Sequence, residues 1–172
     1  MRHDWMRDVL KEHEGPLLRY ATRLTGNLDT ARDVVQDTFL KLCREKPERL
    51  NSHLPEWLFT VCRNRALDVM RKESRLGPLP DELASTEPTP SAAAETNEAE
   101  SDVLRAIEQL PANQQEVIRL KFQNGLSYRE ISRITDLSVS NVGFLIHTGI
   151  KTLRQRVRAL DVGRVSSRGE GV

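Results

Sequence analysis

Trp57, Val61, Asn64, Asp68, Arg71 and Arg75 follow one another at alternating spacings of four and three residues, which puts them on one stripe of a helix. Arg63, Arg65 and Lys72 flank the stripe. This mixture of groups suits a nucleic-acid strand. The cations neutralise phosphates, and Trp57 and Asn64 can stack on or hydrogen-bond to exposed bases. A solvated helix face laced with i,i+4 ion pairs has the same pattern, so the stripe alone leaves both readings open.

A second constellation lies further along. Ser127-Tyr128-Arg129-Glu130 fits the capping box, in which Ser and Glu reciprocally satisfy free backbone donors, and Leu126 with Ile131 fits the hydrophobic staple around it. The helix that starts there is short, because Thr135-Asp136-Leu137 interrupts it and Ser138 can cap another. Two short helices joined by a tight turn make a helix-turn-helix. Its second helix would turn Val142, Ile146, Gly149 and Leu153 inward and offer Ser140, Asn141, Gly143, Phe144 and His147 to a major groove. Lys151, Arg154, Arg156 and Arg158 follow and suit phosphates. A helical hairpin used only for packing or dimerisation is the alternative.

Catalytic chemistry has little support. The sequence shows no glycine-rich phosphate loop, no metal-ligand spacing and no recognisable nucleophile constellation. His147 has no second His or Cys at metal spacing, so no metal or other cofactor is expected. Cys43 and Cys62 lack a CxxC partner and sit in apolar helical patterns, which predicts buried, reduced thiols. The first sixteen residues carry scattered charges without a signal-peptide core, and no stretch approaches the roughly 18 apolar residues of a membrane span. A cytoplasmic protein with no membrane insertion is expected.

The elements that must position these residues are helical. Hydrophobic residues make up 38% of the 172-residue chain and charged residues 30%, enough for modest helical cores but without the aromatic and β-branched runs of sheets. Residues 76–101, LGPLPDELASTEPTPSAAAETNEAES, have linker composition, and their four prolines disfavour a continuous helix. An all-α chain follows: two small helical domains, 1–75 and 102–160, joined by a flexible acidic linker rich in Pro, Ser, Ala and Glu, with a disordered tail at 161–172.

In the first domain, Leu17, Tyr20, Ala21 and Leu24 mark a helix that Gly26 ends. Asp29 or Thr30 can cap the next, whose apolar stripe is Ala31, Val34, Val35, Thr38 and Leu42 and whose other face shows Asp33, Gln36, Asp37 and Lys41, until Pro47 ends it. After a loop, Pro55 suits a first helical turn, and Leu58, Cys62, Ala66 and Val69 share a core face. The second domain opens with Val103, Ile107 and Leu110 on one face, then a helix from about Asn113 to Gln123 with Val117, Ile118, Leu120 and Phe122 apolar.

The formal net charge of +1 conceals segregation. Residues 40–75 carry 9 Lys/Arg against 5 Asp/Glu and residues 103–172 carry 11 against 6, whereas residues 76–102 carry none against 7. Two basic blocks around an acidic one suggest two sites for a polyanion and a spacer repelled by it.

In this order, LRYATRLTGNLDTARDVVQDTFLKL, LPEWLFTVCRNRALDVMRKESR and LPANQQEVIRLKFQNGLSYREISRITDLSVSNV resemble the blocks of extracytoplasmic-function (ECF) sigma factors, which direct RNA polymerase to promoters. The resemblance covers most of the chain outside the linker and tail. It implies that Asp33, Gln36, Asp37 and Lys41 dock on the clamp helices of core RNA polymerase. It further implies that Asn51, Ser52 and His53, with Trp57, Asn64, Asp68, Arg71, Lys72 and Arg75, engage the −10 element of promoter DNA and hold the melted strand. The helix-turn-helix, through Ser127, Ser138, Ser140, Asn141, Phe144, His147, Lys151 and Arg154, would read the −35 element as duplex. An anti-sigma factor occluding both domains is common among such proteins.

Two departures matter. Arg32 stands where the family often has an acid, which makes the clamp-binding face less negative. Leu145, Thr148 and Ile150 stand where its recognition helix usually has arginines. The residue-level rival is a helix-turn-helix regulator whose N-terminal half senses or dimerises, binding an operator without polymerase.

Overall fold

The computed structural model describes residues 2–50, 52–77 and 98–168. All the regular structure in them is α-helical. The chain divides into two compact units, one built on the first four helices and the other on the last four as far as Ser132 of the seventh and from Leu137 onward.

In the first unit, α1 (Arg2–Thr25), α2 (Leu28–Leu42), the single turn α3 (Pro47–Leu50) and α4 (Leu54–Arg75) follow in order. The helix α1 begins far upstream of Leu17 and runs through Pro16. Its apolar stripe explains this, because Val9 is buried on the same face as Leu17, Tyr20 and Ala21, so packing on both sides of the proline outweighs the one hydrogen bond it cannot donate. Gly26 ends α1 at φ 70°, a left-handed conformation in which a side chain would be strained. The next cap is Asn27 and not Asp29 or Thr30: its Oδ1 accepts from the backbone N–H groups of both, at 2.8 and 3.0 Å.

The helices α1, α2 and α4 pack on one another around Leu17, Val34, Leu42, Leu58 and Cys62, all nearly without exposure. Tyr20 of α1 meets Phe59 of α4 edge to face, with centroids 5.2 Å apart at 73°, a favoured aromatic geometry. Of the expected α4 core face, Leu58, Cys62 and Ala66 are buried and Val69 is half-buried. Cys43 departs from expectation. It is the C-cap of α2, still in helical register with its N–H on Phe39 O at 3.0 Å, but Cys43 lies beyond the edge of the buried stripe and is exposed.

In the second unit, α5 (Glu98–Glu108) starts inside the stretch read as linker, and α6 (Ala112–Phe122), α7 (Tyr128–Thr135) and α8 (Val139–Arg168) follow. The α8 helix packs on both α5 and α6, with Leu153 against Ile107, Leu110 and Ile118. Val103, expected on one face with Ile107 and Leu110, and the apolar Phe122 are exposed; Phe122 is the last residue of α6 and turns off the buried face. Residues 161–168, read as a disordered tail, continue α8. They contain no proline, and extending an existing helix adds one hydrogen bond for each residue fixed. The remainder of that tail and most of the expected linker lie outside the described residues.

Candidate nucleic-acid interfaces

On α2, the buried stripe leaves Asp33, Gln36, Leu40 and Lys41 exposed. Leu40 was not singled out from sequence; it is 55% exposed beside two polar neighbours, giving this face an apolar centre. Asp37 does not stand with Asp33 in open solvent. Its Oδ2 accepts from Arg65 Nε of α4 at 2.6 Å, tying the two helices together. Arg32 Nη1 lies 3.3 Å from Asp29 Oδ1 on the same exposed surface.

The α4 stripe divides along its length. Trp57 and Val61 are half-buried, while Asn64, Asp68, Arg71, Lys72 and Arg75 are exposed. Arg71 Nη1 contacts Asp68 Oδ1 at 3.3 Å in an exposed i,i+3 pair, too weak in water to hold the guanidinium against a phosphate. Ser52 and His53 precede the helix in the open, with Ser52 Oγ 3.2 Å from His53 Nδ1. His53 occupies the N-cap without capping through its side chain, and Pro55 falls in the first turn as expected. Asn51 lies outside the described residues.

Cys62 sits behind this face. Burial pushes its thiol up to about 12, only partly countered by a hydrogen bond with Thr38, so it is an inert core group.

In the second unit the capping box at α7 forms as read. Glu130 Oε2 accepts from Ser127 N at 2.7 Å, and Ser127 Oγ accepts from Glu130 N at 3.3 Å. Asp136 makes the turn at φ 58°, a region that Asp tolerates better than most residues. Ser132 Oγ donates to Leu137 O at 2.5 Å across that turn. Ser138 then caps α8, its Oγ accepting from Asn141 N at 3.1 Å. Ser127 and Ser138, both named as DNA contacts from sequence, thus have their hydroxyl oxygens engaged in capping, while each keeps a proton to donate.

The inward face of α8 is as expected, with Val142, Ile146 and Gly149 buried. Leu145 is also buried, so it belongs to the core and not to a depleted reading face. The outward face carries Ser140, Asn141, Phe144, His147, Lys151, Arg154 and Arg158, all exposed. Arg156 turns away from that face and donates from Nη1 to Ala106 O of α5 at 3.3 Å. Gly143 lies under the Tyr128 ring, where a Cβ would come 3.5 Å from the ring edge. Among the described residues no cluster of three or more His, Cys, Asp or Glu could hold a metal ion, and no helix is long and apolar enough to cross a membrane.

Comparison with known proteins gives these faces a family. Residues 9–76 match the family Sigma-70 region 2, and residues 100–153 match Sigma-70, region 4. SigL of Mycobacterium tuberculosis, an ECF RNA polymerase sigma factor, is 32% identical over 163 residues that cover 92% of each chain. SigW of Bacillus subtilis, another ECF sigma factor, is 26% identical over 91% of each chain. Among solved structures, the sigma factor RpoE of Bartonella quintana, in complex with the anti-sigma factor NepR, superimposes with a TM-score of 0.65 at 24% identity, over 90% of this chain and 97% of that one. CnrH, in complex with the cytosolic domain of CnrY, gives 0.56 at 23% identity, over 90% and 88%.

A helical chain carrying sigma-70 region 2 and then region 4 is an initiation factor of transcription. This chain belongs to the ECF RNA polymerase sigma factors, which work with core RNA polymerase to recognise promoters.

Proposed function

We propose that three exposed helix faces divide the work of initiation. The α2 face, with Asp33, Gln36 and Lys41 around Leu40, binds core polymerase, an apolar centre with a polar rim being the usual anatomy of a specific interface. Ser52, His53 and the exposed half of the α4 stripe hold the −10 strand after a base leaves the stack; unstacking costs a few kcal/mol, offset by phosphate neutralisation and base contacts. The outward face of α8 reads the −35 duplex. Asn51 is assigned to the −10 site by sequence alone.

The observation that carries this reading is the order of side chains along α8: uncharged polar and aromatic groups on the first turns, then Lys151, Arg154 and Arg158 on the same exposed face. A recognition helix needs base-reading groups first and phosphate-binding groups after them.

The protein has no catalytic role of its own and acts in the cytoplasm. An anti-sigma factor covering these faces keeps it inactive; the similarly folded RpoE of Bartonella quintana, solved in complex with the anti-sigma factor NepR, supports this. Run-off transcription with purified core polymerase and the host's promoters tests the reading. Promoter-dependent transcripts that require the chain are expected. Binding of duplex DNA without binding of core polymerase would overturn it in favour of a polymerase-independent regulator.

A further inference from the structure

From Val139 to Ile150 the helix α8 carries no lysine or arginine. With Leu145 buried, the side chains left to meet base edges there are Ser140, Asn141, Phe144 and His147. Asn141 and Phe144 stand at i and i+3, one above the other on the same face, and Phe144 is 65% exposed. Phe144 stays open between Val142, Leu145 and Ile146, which are buried, so on the reading turns of α8 it is the large side chain that an apolar surface can cover. The capping bond from Asn141 N to Ser138 Oγ fixes the start of the helix, and Tyr128 backs it at Gly143. Both readers are therefore held on an ordered backbone.

The chemistry of base edges then narrows the choice. Guanine is read chiefly by Arg or Lys through O6 and N7, adenine by Asn or Gln through N6 and N7, and the thymine methyl by apolar contact. Ser140 and His147 can each offer single hydrogen bonds, which do not by themselves decide the base pair.

We infer that the reading end of α8 selects A·T pairs, Asn141 pairing with an adenine and Phe144 packing on the 5-methyl group of a neighbouring thymine. Lys151 and Arg154 hold the flanking phosphates and contribute affinity without sequence choice. This rests on the proposed placement of α8 in the −35 duplex and names what it recognises there.

The test uses holoenzyme assembled from core polymerase and the full chain, with a duplex library randomised in the upstream element. The selected sites should hold A·T pairs at adjacent positions. Replacing the selected thymine by deoxyuridine should weaken binding about fourfold, one buried methyl's worth, and have no effect on Phe144→Ala. Replacing the adenine by 7-deazaadenine, which removes the N7 acceptor and keeps the N6 donor, should weaken wild type by roughly fivefold, as loss of one hydrogen bond of the pair does, and leave Asn141→Ala unaffected. The losses seen with wild type come from changes made in the DNA, so no folding defect can mimic them. Selected sites built on invariant G·C pairs, or indifference to both modified bases, would overturn the inference. If scrambling the whole upstream element and Lys151→Ala with Arg154→Ala also leave binding unchanged, the placement of α8 on duplex DNA falls with it; if those changes weaken binding, only the base assignment fails.

Discussion

Arg65 on α4 donates its Nε–H to Oδ2 of Asp37 on α2 across 2.6 Å, with about a third of each side chain exposed. The bond divides two carboxylates that look equivalent in the sequence. Asp37 joins α2 to the helix proposed to hold melted DNA, whereas Asp33 is exposed.

Asp33→Arg with Gln36→Ala should therefore weaken binding to core polymerase by roughly tenfold or more, since like charges across an interface cost several kcal/mol, with an unchanged melting temperature. Asp37→Ala should instead lower stability by about 0.5–1 kcal/mol, the scale of a partly exposed ion pair. Titration against core polymerase and thermal denaturation separate the two effects. Equal losses of affinity from both would mean that the Arg65 bond does not withdraw Asp37 from the interface.

The exposed half of the α4 stripe makes a kinetic prediction. Alanine at Asn64, Arg71 and Arg75 together should slow promoter opening, followed with a fluorescent base in the −10 element, while affinity for core polymerase stays within about twofold, because exposed charges facing away from an interface contribute little to it. A normal opening rate would assign these residues to ordinary solvated positions.

Legibility in the sequence followed the range of the interaction. Local signals read well. Gly26 ends α1, Pro55 opens α4, and Ser127 with Glu130 closes the capping box, because each acts on backbone groups within a few residues. What depends on distant partners was not legible. Nothing near Asp37 announces Arg65, and nothing near Arg156 announces the carbonyl of Ala106. Periodicity also fails at the edge of a buried stripe. Leu145 and Phe144 are adjacent and both apolar, yet one is core and the other open, and only the packing of α8 on α5 and α6 decides which.

Cys62 and Cys43 should differ in reactivity, and Cys62 should link stability to pH. A neutral-pH thiol reagent should modify Cys43 in the native protein and Cys62 only after denaturation. Folded Cys62 keeps its proton to about pH 12 against an ordinary value of 9.0. Below pH 9 both states are protonated and stability does not depend on this group. Above it the unfolded chain releases a proton that the folded one retains, so the folded state loses about 1.4 kcal/mol per pH unit. Denaturation of wild type and Cys62→Ala between pH 8 and 11 should show wild type losing stability faster as pH rises. Parallel curves would mean that the folded thiol titrates as an exposed one does.

Gly149 sets how closely α8 approaches α6. A Cβ there would overlap Ile118 Cδ1 and sit 3.5 Å from Gln114 Oε1, while Ile118 is itself buried. Glycine in a helix normally costs about 0.5–1 kcal/mol relative to alanine, so Gly149→Ala would stabilise an isolated helix. Against a packed neighbour, overpacking costs about 1–3 kcal/mol, and the second effect should win by about 1 kcal/mol. Ile118→Val removes the atom that clashes, at a cost of about 0.5–1.5 kcal/mol on its own. In that background Gly149→Ala should become neutral or stabilising, a coupling that a double-mutant cycle by denaturation measures directly. Strict additivity would show that the contact between Gly149 and Ile118 does not set the spacing. A coupled result that also alters discrimination among upstream promoter elements, with Asn141 and Phe144 intact, would tie that spacing to the presentation of the reading face.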